Sequence, residues 1–211
     1  MVRSFRHAFW VAAAFAAFVP VTAFGQAYGK FNGEIATEWM PDGRSMRLLK
    51  QFEYTAADGT RWGVPAGSIV DGASIPQALW SLIGAPFSGN YRNASVIHDY
   101  YCETRSRPYQ AVHQVFYEAM LASGVGQRRA WLMYRAVDTF GPRWDTVTAN
   151  TKCDGPDFDF ENCVLASKKP ALRQPQLDAA ALKKFTDDVR GEADPEDVRQ
   201  LEEAIGALKH N

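Results

Sequence analysis

Neither glycine nor proline is in excess, at 16 and 11 of 211 residues, and the apolar fraction is an ordinary 46%. Those values exclude a collagen-like or disordered polymer. Charge of one sign is lacking too: 23 basic residues face 24 acidic ones, a formal net charge of −1. A chain without net positive charge is not built for broad phosphate neutralisation, so no nucleic acid partner is expected. No internal repeat occurs, and the glycines at 84 and 89 fit neither standard phosphate-loop pattern. What remains is a chain long enough for one domain with a genuine core.

The amino terminus has a specific organisation. Arg3 and Arg6 precede an uncharged run over 8–19, which Pro20 and small residues around Ala23 and Gly25 close. A basic start, a short apolar centre and a small-x-small exit describe a secretory signal peptide over 1–25, cleaved before Gln26. The run falls short of the roughly 20 residues a spanning helix needs, and no cysteine follows it to carry a lipid. The alternative is an uncleaved anchor. Cleavage leaves 21 basic against 24 acidic residues and a periplasmic or secreted protein.

Export permits disulfides, and Cys102, Cys153 and Cys163 all lie in the mature part. Cys153 and Cys163 bracket a short loop rich in Gly, Pro, Asp and Asn and form the natural pair. Cys102 is then a buried small hydrophobe, a reactive thiol or a competing partner.

The organisation predicts an α+β domain over 26–165. Residues 31–70 read as a small antiparallel meander, with strands at 33–39, 47–54 and 61–64. Turns at Pro41-Asp42-Gly43 and Ala57-Asp58-Gly59 separate them. Helical spacing follows at 76–83, 91–103, from Pro108 to the Ser123-Gly124 stop, and 127–140, a compact group of three to four helices. Residues 166–211 form a linker and a charged helical tail. Its narrow apolar stripes either dock on the domain or pair with another helix.

Few residues can carry chemistry. With His7 in the leader and His210 terminal, His98 and His113 are the imidazoles of the domain. His98 and Asp99 adjoin in a helix and point about 100° apart, whereas His98 and Cys102 share a face one turn apart. Asp71 and Ser74 stand before the helix at 76, where capping competes with a catalytic use. The acidic loop Asp154, Asp157, Asp159 and Glu161 lacks the full calcium-loop pattern and reads as solvated.

Blocks in order then become recognisable. Val64-Pro65-Ala66-Gly67, Asp71-Gly72-Ala73-Ser74-Ile75-Pro76, Leu79-Trp80, Gly89-Asn90-Tyr91, Val96-Ile97-His98-Asp99-Tyr100, Phe116-Tyr117-Glu118-Ala119-Met120 and Met133-Tyr134-Arg135-Ala136-Val137 resemble the phage and bacterial family catalogued as domain of unknown function 1353, over about 60–144. The resemblance implies a fold and no settled activity. A helical His-Asp pair is also similar to the secreted phospholipases of the A2 type. That likeness implies His98 as base, Asp99 as a Ca²⁺ ligand and backbone carbonyls near 84–89 as further ligands. The chain departs from the pattern at Cys102, where tyrosine is expected, and at Val112-His113, where the family has Ala-Asp. Asp71, His98, Cys102 and His113 thereby also make a nitrogen, sulfur and oxygen set suited to Zn²⁺.

The resulting expectation is an exported hydrolase. His98 and Asp99 would activate water for hydrolysis of an ester, with lipid as substrate class, supported by Asp71, Ser74, Cys102 and His113 and by metal at Asp99 and Asp71. The alternative is a non-catalytic envelope or phage-derived binding protein, in which His98-Asp99 locks its helix to the Asp71 loop. In that case the tail recruits a protein partner.

Overall fold

The computed structural model describes residues 28–72, 89–145 and 170–209. The expected leader, the helix at 76–83, Ser74 and the Cys153–Cys163 pair lie outside the described residues.

Six short strands come first: β1 (Lys30–Asn32), β2 (Thr37–Trp39), β3 (Met46–Leu48), β4 (Phe52–Thr55), β5 (Arg61–Val64) and β6 (Ile69–Val70). They form two three-stranded antiparallel sheets, ordered β1-β4-β5 and β2-β3-β6, in place of a single meander. The expected strand at 47–54 divides because Leu48 and Phe52 are both buried while Leu49, Lys50 and Gln51 between them are exposed. The chain thereby leaves one sheet and enters the other. Turn chemistry acts as expected: the Asp42 carboxylate accepts the Arg44 and Ser45 N–H groups at 2.9 and 2.8 Å, and Asp58 accepts that of Thr60 at 2.8 Å.

Three helices follow: α1 (Arg92–Thr104), α2 (Tyr109–Ala122) and α3 (Gln127–Phe140). Arg105 takes a left-handed conformation, φ 56°, and its N–H returns to the Tyr101 carbonyl to end α1. The first sheet meets α1 edge-on, with the Trp62 and Tyr101 rings 4.9 Å apart. The Tyr101 hydroxyl donates to the Gly63 carbonyl at 3.2 Å. Arg107 lies over the Trp62 ring at 4.1 Å and donates to the Arg61 carbonyl. Leu48, Phe52, Val64, Ile97, Phe116 and Val137 join strands and helices in one buried cluster.

The tail folds back. Its helices are α4 (Ala179–Val189), capped by the Asp178 carboxylate on the Ala181 N–H, and α5 (Pro195–Lys209). Their stripes, including Leu182, Phe185, Val198 and Leu201, are buried in the same cluster. Phe185 meets Phe140 of α3 edge-on at 5.5 Å, and Arg129 of α3 pairs with Asp197 of α5 at 2.7 Å. A two-way backbone bridge between Arg143 and Arg173 ties the linker to the end of α3. The stripes serve both expected uses, since the two tail helices pack against each other and dock on α3. Among the described residues no helix is long and apolar enough to cross a membrane.

Candidate functional site

The α1–α2 seam gathers the chemistry-bearing residues. The expected helical spacing holds: Ala94, Ile97 and Tyr101 are buried on one face of α1, and His98 and Cys102 share the adjoining face. His113 reaches the same spot from α2. The His98 ring is 1% exposed and lies 4.8 Å from the Phe116 ring and 5.3 Å from that of His113. Cys102 is a buried thiol whose sulfur stands 3.5 Å from His98 Nε2 and 3.7 Å from Nδ1. Such near-equal distances assign the sulfur to neither nitrogen as a directed hydrogen bond.

Burial holds both imidazoles neutral. His98 lies well below the ordinary histidine range, first through desolvation and then through His113. His113 is pushed down to about 4 by burial, which Arg143 reinforces, while Asp138 and the Pro142 carbonyl oppose it. Among the described residues neither His113 nitrogen has a hydrogen-bond partner of good geometry, and Asp138 Oδ1 stands 4.0 Å from Nδ1.

The expected acidic residues do not join this group. Asp99 turns to the loop after β6, where its Oδ2 accepts the Gly72 N–H at 2.6 Å in a buried setting. Gly72 has φ 64°, a left-handed conformation in which a side chain would be strained. Asp71 lies half-exposed beside Arg44, 3.8 Å away. Among the described residues the one group with metal-ligand spacing is His98, Cys102 and His113, without Asp71 or Asp99. The expected nitrogen, sulfur and oxygen set thus loses its oxygen. The hypothesised Ca²⁺ role of Asp99 has no such group around it either, because hard cations need several oxygens. Asp138, missed in the sequence, sits at the rim of the group. Nothing in the spacing links it to His113, and helix packing brings the two together.

Residues 46–137 match the model of the family described as protein of unknown function (DUF1353). The match runs from β3 to within α3. Two curated relatives match, both from Sinorhizobium fredii (strain NBRC 101917 / NGR234). Uncharacterized protein y4jT is 43% identical over 141 residues, covering 64% of this chain and 42% of its own length. Uncharacterized protein y4iH is 37% identical over 142 residues, covering 67% of this chain and 58% of its own length. The chain therefore spans about half the length of the curated relatives it matches. No solved structure matches it. The likeness to A2 phospholipases finds no support in these comparisons.

Proposed function

We propose, from the match of residues 46–137 to this family's model and from the geometry around Asp99, that the chain is an exported, non-catalytic binding or structural protein of the cell envelope. The carrying observation is the Asp99–Gly72 bond, which uses the carboxylate to fix α1 to the loop after β6. His98 completes the argument. A general base must reach a water or substrate proton within hydrogen-bond distance, and a ring 1% exposed and packed on Phe116 offers no such approach. The pair therefore acts as an architectural lock between strands and helices.

The second sheet offers a surface for a lipid or other envelope component. Ile69 of β6, on the face of the sheet that carries Glu38 and Arg47, is 50% exposed, and Leu49 just after β3 is 53% exposed; Trp39 of β2, 65% exposed, stands in register with Met46 and Val70 on the other face. Large apolar side chains left in water suit an interface with an apolar partner. The charged outer faces of α4 and α5 remain available to a protein partner.

Turnover separates this reading from hydrolysis. Mature wild-type protein and His98→Ala are given phospholipid vesicles and a soluble ester, and thermal unfolding of both is recorded. The expected result is no turnover above buffer in either protein and a lower Tm in the variant. Wild-type turnover that His98→Ala abolishes without changing Tm overturns the reading.

A further inference from the structure

Two helices place three metal-ligating side chains at one buried spot that the architectural role of Asp99 leaves unexplained. One donor atom each of His98, Cys102 and His113 lies within 4.8 Å of the other two. His113 is 0% exposed, and among the described residues neither of its nitrogens makes a hydrogen bond of good geometry, although the Pro142 carbonyl and Asp138 act on the ring. Interiors avoid leaving such groups without a partner, so an unsatisfied ring beside a thiol and a second imidazole calls for a ligand that accepts nitrogen and sulfur donors.

We propose that His98, Cys102 and His113 bind one Zn²⁺ ion and thereby clamp α1 to α2. Tetrahedral zinc with Zn–N of about 2.0 Å and Zn–S of about 2.3 Å sets nitrogen and sulfur about 3.5 Å apart. Cys102 Sγ already stands 3.5 Å from His98 Nε2. A zinc-bound histidine turns its second nitrogen to a carboxylate or carbonyl. His113 has Asp138 Oδ1 4.0 Å from Nδ1, which leaves Nε2 to face the metal. Two imidazoles and a thiolate without a carboxylate select a borderline-soft ion over Ca²⁺ or Mg²⁺. On binding, the Cys102 thiol gives its proton to solvent and its sulfur electron pair to the metal. Three protein ligands leave a fourth position that none of the described His, Cys, Asp or Glu side chains fills. The inference stands whether or not the chain hydrolyses esters.

The test uses tag-free mature protein carrying Cys153→Ser and Cys163→Ser, so that Cys102 is the sole thiol. Zn²⁺ is titrated against a chromophoric chelator, and Co²⁺ replaces zinc for absorption spectroscopy. The expected results are one ion per chain, a tetrahedral Co²⁺ spectrum with a thiolate charge-transfer band, and a higher Tm with zinc. His113→Phe, which keeps a ring of similar size beside His98 and Tyr109, should weaken binding at least a hundredfold and abolish the zinc-dependent rise in Tm. Cys102→Ser should remove the charge-transfer band. Absence of stoichiometric binding, or a Co²⁺ spectrum without that band, overturns the proposal. So does equal affinity in a folded His113→Phe. If that variant does not fold, the Co²⁺ spectrum of the parent decides.

Discussion

The Asp99 carboxylate accepts the Gly72 N–H at 2.6 Å across 27 positions of sequence, joining the helix that carries His98 to the end of the second sheet. Removing the acceptor leaves a buried N–H without this partner, which costs about 1–3 kcal/mol. Asp99→Ala should lower the unfolding free energy by about that amount in a denaturant titration. Gly72→Ala, forced into the left-handed region, should cost about 1–2 kcal/mol. The double variant should cost less than the sum, because without the Asp99 carboxylate the loop can relax the strain at residue 72.

Acid should weaken the first sheet through Glu53. Arg61 on the neighbouring strand donates to its carboxylate at 2.9 Å and Asn32 at 2.9 Å, and these partners hold its pKa below the ordinary value of 4.5. A carboxyl depressed in the folded state contributes stability that is fully present above the unfolded value. That contribution is lost as pH falls through the lower folded value. Urea titrations should show wild type more stable than Glu53→Gln at neutral pH, with the difference shrinking below pH 4.5.

The tail should be separable from the domain by one core deletion. Phe185 is 3% exposed and packs edge-on against Phe140. Phe185→Ala should cost about 3–5 kcal/mol. Limited proteolysis should then cut the linker after residue 170 much earlier than in wild type.

Much of the fold was legible in residue patterns, and particular residues show why. The third helix was expected at 127–140 and occurs as Gln127–Phe140, since its apolar period is regular and Gly141-Pro142 ends it. The division of the strands into two sheets was not legible. Local alternation cannot show that Leu48 and Phe52 turn into the core from different sheets. The His98–Cys102 proximity followed from helix geometry alone. For Asp99 the residues offered both a cation ligand and a lock to the Asp71 loop; its Gly72 partner is 27 positions upstream, and no period reports such a contact. Asp138 escaped for the same reason, its place beside His113 being set by how two helices pack.

The second sheet should be the surface that meets the envelope partner. Leu49→Ser and Ile69→Ser remove exposed apolar groups with little effect on the core. Flotation with phosphatidylethanolamine–phosphatidylglycerol vesicles should recover wild type and lose most of the double variant, with Tm within a few degrees. Equal recovery of both proteins places the contact elsewhere.

Hydrogen exchange at the Gly72 amide tests the central claim, that Asp99 is an architectural lock, most directly. In wild type this N–H should exchange only with global unfolding, and in Asp99→Ala it should exchange as fast as an exposed loop amide. Fast exchange in both proteins would contradict the account, because the carboxylate would then be free for other chemistry.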